Sequence, residues 1–211
     1  MKSFTDPAIS DYTMAHTTAD SVLLKELQQI ASEKLDLPDM ICGPQVGQLL
    51  KTFIKSGNCS RVLEIGTFVG YSAITMADAM SSGEIITLEI EEEYAAISKP
   101  YFRREPYRNI IKQIMGPALD SLDSLEGPFD LVFIDADKTA YQEYYKKCLP
   151  LLGENGVMIF DNVLWSGEVV DPQSKEAKAI HGLNKMVHDD DAVLNLLLPL
   201  RDGLLIVVKR D

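Results

Sequence analysis

In the stretch FIDADKTAY, residues 133–141, three charged side chains, Asp135, Asp137 and Lys138, follow an apolar run. Two carboxylates and an ammonium at the end of a buried strand cost stability unless a further group holds them together. A second apolar run, GVMIF at 156–160, ends on Asp161 and Asn162. Asp135, Asp161 and Asn162 together offer three oxygen donors from strand ends. All-oxygen ligation suits Mg²⁺, with Ca²⁺ or Mn²⁺ as alternatives, and the absence of His and Cys from both stretches speaks against zinc. Beside a cation, Lys138 is pushed towards its neutral form, as a general base requires. Each residue also has a plainer reading. Lys138 can be a salt-bridge partner of Asp135 or Asp137, Asp137 can be a helix N-cap, and Asp161-Asn162 can be a turn.

A second constellation lies upstream. EIGTFVGYS, residues 64–72, reads as a strand-to-helix turn in which Gly66 lets the backbone approach a ligand and Gly70 allows close packing at the helix start. It lacks both the G-x-G-x-x-G pattern and the Gly-Lys-Ser/Thr of a phosphate loop, so a pyrophosphate is not the expected guest. Glu89, at the end of the next apolar run, can accept hydrogen bonds from both hydroxyls of a ribose. A nucleoside without a phosphate loop points to S-adenosylmethionine; the alternative is a turn glycine plus a surface acid. Trp165 and Tyr141 are candidates to wall an aromatic acceptor, or simply to pack.

These residues need a scaffold that gathers strand ends. Apolar runs at 60–66, 84–90, 110–116, 129–136 and 156–162 read as strands, with helical patterns at about 71–80, from 91, and at 139–152 between them. The runs at 195–200 and 203–210 flank Arg201-Asp202-Gly203 as a hairpin. Strands alternating with helices imply an α/β fold with a mostly parallel, Rossmann-like sheet, helices on both faces and an antiparallel last strand. Ligands bind such sheets at the carboxyl ends of the strands, where the acids and amides are found. Residues 18–35 and 43–57 read as two further helices. The chain is expected to be one domain over 1–211, with N-terminal helices in 1–57 and the sheet in 58–211.

Composition narrows the partners. The formal charge of −12 argues against a nucleic-acid or anionic-membrane binder. Three cysteines without paired spacing suggest reduced thiols and a cytoplasmic protein. The N-terminus has no apolar core of a signal peptide, and no run approaches membrane-spanning length.

EIGTFVGYS (64–72), GPALDSL (116–122), FIDADK (133–138) and FDNVLWSG (160–167) closely resemble, in order and spacing, the cation-dependent O-methyltransferases, a family that includes caffeoyl-CoA and catechol O-methyltransferases and many bacterial relatives. The resemblance runs from about residue 38 to the C-terminus. It implies a seven-stranded methyltransferase sheet, S-adenosylmethionine as methyl donor, and transfer to one hydroxyl of a catechol-like small aromatic acceptor. It also implies that Glu64, Gly66, Thr67 and Ser72 line the cofactor site. Glu89 would hold the ribose, Ala118 would lie against the adenine, and Asp137 would meet the methionyl part. Asp135, Asp161 and Asn162 would bind the metal, Lys138 would be the base, and the protein would be a homodimer. CGPQVGQ (42–48) departs from the acidic stretch of plant members, Trp165-Ser166 from their Trp-Asn, and Phe68 from a common tyrosine. No basic cluster supports a coenzyme A ester as acceptor.

Two rival readings compete with methyl transfer. VFIDADKT (132–139) fits the D-x-D-x-T pattern of haloacid-dehalogenase-like phosphohydrolases, with Asp135 as nucleophile and Asp137 beside it. In that family the motif lies on the first strand, and EIGTFVGYS would be left without a role. A silent nucleoside-binding sensor is disfavoured because the metal set and Lys138 are intact.

Overall fold

The computed structural model describes residues 4–210. Five parallel strands, β1 (Arg61–Ile65), β2 (Glu84–Glu89), β3 (Ile111–Met115), β4 (Phe129–Ile134) and β5 (Leu152–Asp161), join β6 (Val193–Leu198) and β7 (Leu204–Lys209) in one sheet of order β3-β2-β1-β4-β5-β7-β6. β7 inserts antiparallel between β5 and β6. The strands are near-continuous apolar runs because helices cover both faces. On one face α2 (Val22–Glu33), α3 (Gly43–Gly57), α4 (Tyr71–Ala77) and α5 (Glu92–Phe102) pack against Val62, Ile85, Leu131, Phe133 and Ile159. On the other, α7 (Tyr141–Cys148) and α8 (Lys175–His188), with Leu122 of the short α6 (Ala118–Leu122), cover Leu63, Ile65, Val132, Ile134, Phe160 and Leu205.

Register turns this stack into a row of strand ends. Ile65 pairs with Leu88 and Ile134, and Ile134 pairs with Phe160. The next residues, Gly66, Glu89, Asp135 and Asp161, therefore emerge side by side. Strand order reverses at β1, whose neighbours are β2 and β4, so the crevice there is the expected ligand position for this architecture.

The boundaries differ from expectation in physically legible ways. β5 starts at Leu152 rather than at 156, because an irregularity opposite Phe129–Leu131 lets the chain join the sheet early. β6 spans Val193–Leu198 rather than 195–200, since Pro199 has no N–H to continue a ladder. Three helices went unread, the five-residue α6 among them. α1 (Pro7–Ala15) is capped by Asp6 but buries no residue, so no apolar stripe marks it. α8 does carry a stripe, Ala177, Ile180, Leu183 and Val187, behind the N-cap Ser174. No helix among the described residues is long and apolar enough to cross a membrane.

Gly66 has a different reason from the one expected. Its φ is +100°, and a Cβ built on it would lie 2.1 Å from the carbonyl oxygen of Asp135. The glycine admits the backbone leaving β4, a close approach between strand exits that the sequence did not show. Gly70, at φ +87°, packs as anticipated, because a Cβ there would meet the Phe102 ring at 2.8 Å. Gly66→Ala is expected to lower stability by roughly 3 kcal/mol or more, since backbone must move. At Gly116, also at positive φ, a Cβ meets nothing within 4 Å, so its alanine variant should cost only about 1–2 kcal/mol of backbone strain. Urea unfolding of the two variants tests this, and equal losses would refute the clash.

Candidate active site

A cavity of about 860 Å³ opens at the carboxyl ends of β1, β2 and β4. Gly66, Thr67, Ser72, Glu89, Ala118, Asp135, Asp137, Lys138, Asn162 and Trp165 line it. Of the expected site residues, Glu64 and Asp161 do not line it and lie buried beneath its wall.

On the β1–β2 side, Glu89 is an anchor for backbone. Its Oε2 accepts from the Phe68 N–H at 2.7 Å, and its Oε1 accepts from Ile90 and Glu91 at 2.8 and 2.9 Å. One carboxylate thereby fixes the turn after β1 and the entry to α5. Glu64 is reached from the cavity only through hydroxyls. Thr87 donates to Glu64 Oε2 at 2.5 Å, and the Thr87 and Thr67 hydroxyls are 2.5 Å apart. Glu64 Oε1 has no hydrogen-bond partner. Burial raises the Glu64 pKa to about 8, and the charges of Asp135 and Glu89 add to it. Thr87 and the nearby Ser72, which falls short of hydrogen-bond geometry, act the other way. Beyond Gly116 the space is open, and Ala118 follows at the start of α6. A roomy crevice with a buried, half-satisfied acid beneath its floor and no phosphate loop suits S-adenosylmethionine.

On the β4–β5 side, like charges crowd. Lys138 Nζ donates to Asp135 Oδ1 at 2.6 Å and to the Tyr141 hydroxyl at 2.7 Å, with its side chain 10% exposed. The salt-bridge reading of Lys138 thus holds, with Asp135 as partner. Asp137 caps the 3₁₀ turn Lys138–Ala140, accepting from the Thr139 N–H at 3.0 Å, while its exposed side lines the cavity. Asp161 is 1% exposed and accepts from the Asn162 N–H at 2.7 Å. Burial, then the charge of Asp135, raises its pKa to about 7 against the pull of Lys138 and Arg201. Asn162 adopts φ +59°, which turns it to the cavity wall. A buried carboxylate and a half-buried one that repel one another, with an amide beside them, fit a hard divalent cation. Among the described residues no three His, Cys, Asp or Glu side chains gather as a metal site, so a cation bound at this pair would need the Asn162 amide as its third protein donor.

The two aromatic candidates part company, and Asp202 and Arg201 prove to be supporting residues that sequence reasoning missed. Tyr141 is fully buried and walls no acceptor; its ring packs on Phe160. Trp165 does line the cavity, in a run of left-handed residues with Ser166 and Gly167, and Asp202 accepts from the Ser166 N–H at 2.6 Å. Arg201 donates to the Ile41 carbonyl at 2.7 Å and so ties the Cys42 wall to the β6–β7 turn. Charged residues in a turn carry no pattern that announces such roles.

The Glu64 shift makes a pH prediction for the ligand-free protein. A carboxyl whose folded pKa is raised stabilises the fold below its ordinary value of 4.5, and that contribution is lost as pH rises through about 8. Melting temperature should fall between these limits, and Glu64→Gln should flatten the fall by at least about 3 °C. Parallel pH profiles of the two proteins would show that Glu64 does not titrate late.

A family model described as O-methyltransferase matches residues 14–210. The chain is 32% identical to mouse "Catechol O-methyltransferase domain-containing protein 1", over 97% of this chain and 80% of that protein. It is 31% identical to "Probable caffeoyl-CoA O-methyltransferase 2" of Dictyostelium discoideum, over 96% and 91%. Among solved structures, an SAH-bound methyltransferase of Podospora anserina superposes with a TM-score of 0.89 at 26% identity, covering 98% of this chain and 97% of that one. The Asp135–Asp137 stretch follows the fourth strand of this chain rather than the first, so the phosphohydrolase reading falls. With the family model spanning nearly the whole chain, the protein belongs to the O-methyltransferase family, on the caffeoyl-CoA O-methyltransferase-like branch, and is an S-adenosylmethionine-dependent O-methyltransferase.

Proposed function

We propose that the acceptor is a vicinal dihydroxy aromatic bound through a divalent cation, Mg²⁺ foremost, held by Asp135, Asp161 and Asn162, with Lys138 as the base. The observation that carries this reading is the Asp135–Asp161 pair, one carboxylate half-buried and the other fully so, whose repulsion Lys138 and the more distant Arg201 only partly offset. When bound, the cation favours the ionised form of a chelated hydroxyl, and S-adenosylmethionine supplies the methyl that leaves S-adenosylhomocysteine behind. Lys138 lines the cavity within reach of a hydroxyl brought to Asp135, and it takes the proton. Glu89 takes a ribose hydroxyl on the Oε2 lone pair that its three backbone contacts leave free. Gly66, Thr67, Ser72 and Asp137 face the methionyl part, Glu64 stiffens that wall through Thr87 and Thr67, and Ala118 faces the adenine. Much of the rate comes from alignment, since the sulfonium is already activated.

The acceptor's tail is constrained by charge. Apart from Lys138, the charged residues lining the cavity are carboxylates, among them Asp39, Glu176 and Asp202. A polyanionic coenzyme A ester meets like charge there. An acceptor panel with labelled cofactor should therefore show turnover of a simple catechol with Mg²⁺ and little with chelator. Its mono-hydroxy analogue should be inert, and caffeoyl-CoA should be slower by about tenfold or more. Equal rates on the catechol and the mono-hydroxy compound would sink chelation.

Two variants separate ligand from base. Asp135→Ala should weaken Mg²⁺ binding, with partial rescue of activity at excess Mg²⁺. Lys138→Ala should keep or raise metal affinity, because a cation leaves the carboxylate pair, while turnover falls roughly 10²–10⁴-fold. Near-normal turnover of Lys138→Ala at neutral pH would leave that lysine as a salt-bridge partner only.

A further inference from the structure

The Tyr141 hydroxyl stands at a junction that methyl transfer does not by itself require. It lies 2.9 Å from the carbonyl oxygen of Asp161, 3.3 Å from that of Ile134 and 2.7 Å from Lys138 Nζ. The side chain is fully buried, and its ring also lies 4.9 Å from the same ammonium. A phenol has one hydrogen, and carbonyl oxygens can only accept. That hydrogen is therefore committed to the carbonyls, chiefly to Asp161, and the contact with Lys138 must run from nitrogen to oxygen.

The polarity of this contact fixes the lysine. Asp135 Oδ1 accepts a second N–H at 2.6 Å. Nζ is tetrahedral, with Cε in one direction, Tyr141 in another and Asp135 in a third. Two N–H bonds are thereby spent on these two oxygens, and the base reading places the lone pair in the fourth direction. We propose that Tyr141 is a positioning residue that aims the free direction of Lys138 Nζ at the acceptor hydroxyl. The inference rests on the reading of Lys138 as base and adds a residue to it. Without the phenol oxygen, an N–H would seek another acceptor, and the lone pair would no longer be confined to one direction.

Tyr141→Phe keeps the ring and removes only the oxygen. With catechol as acceptor and Mg²⁺ present, kcat should fall roughly 10–100-fold. The acceptor KM and the calorimetric affinity for S-adenosylhomocysteine should stay within about twofold, as the near-attack geometry is lost but the pocket is not. A purely structural role for the phenol would instead weaken cofactor and acceptor binding along with kcat. If Lys138→Ala loses turnover and Tyr141→Phe does not, the positioning role is overturned while the base survives. If Lys138→Ala is near normal, the base reading fails and the inference with it. A second measurement needs neither turnover nor a variant that folds. In a wild-type crystal structure with Mg²⁺ and S-adenosylhomocysteine bound, Lys138 Nζ should keep hydrogen-bond distance to both the Tyr141 hydroxyl and Asp135. An Nζ turned away from the phenol would overturn the clamp.

Discussion

Two carboxylates sit at the ends of adjacent parallel strands, and neither can move away from the other. Parallel pairing of β4 with β5 sets Ile134 beside Phe160, so Asp135 and Asp161 must follow at neighbouring positions. Burial denies Asp161 the water that would screen the repulsion. What surrounds them answers that problem. Lys138 reaches back three residues to Asp135, Asn162 turns its backbone N–H onto Asp161, and Arg201 lends a more distant charge. The site is an electrostatic strain held in place by sheet register, which is the condition for preorganised binding of a cation or a developing charge.

The cofactor half is built on the opposite principle. There the polymer itself is pinned. Glu89 collects three backbone N–H groups from two loops, and Gly66 brings the exit of β1 onto the exit of β4. The two halves meet at the Gly66–Asp135 contact, so the methyl donor and the charged cluster share one fixed backbone reference. A reaction that depends on in-line alignment gains from such a shared frame.

Much of this was readable in the residues. Apolar runs bounded by glycine and acids marked β1, β2, β4 and the centre of β5, and the acids after them marked the crevice, because strands covered on both faces show as uninterrupted hydrophobic segments. The plain readings of Asp137 as a cap and Lys138 as an ion-pair partner were also correct local chemistry. Other features left no trace. α1 buries nothing and so has no periodic face. Tyr141 looked like a candidate wall because an aromatic residue near charges does not reveal which way its ring turns. Thr87 reads as an ordinary β-branched strand residue until the fold sets it between Glu64 and Thr67. Such contacts span 20 residues or more and depend on which strands become neighbours, a property of topology rather than of any local window.

The insertion of β7 between β5 and β6 has a consequence for how the molecule is made. β7 follows every other strand along the chain, yet it occupies an interior place in the sheet. Until it has been synthesised, β5 presents an open edge of unpaired backbone beside Met158, Ile159 and Phe160, and β6 has no partner. The Arg201–Ile41 bond, which joins residues 160 apart, cannot form before then either. A nascent chain on the ribosome thus holds a cofactor half whose strands are all present and a charged half whose last wall is missing. Completion of the acceptor side waits for β7, and the exposed β5 edge is the segment most open to mispairing in the interval.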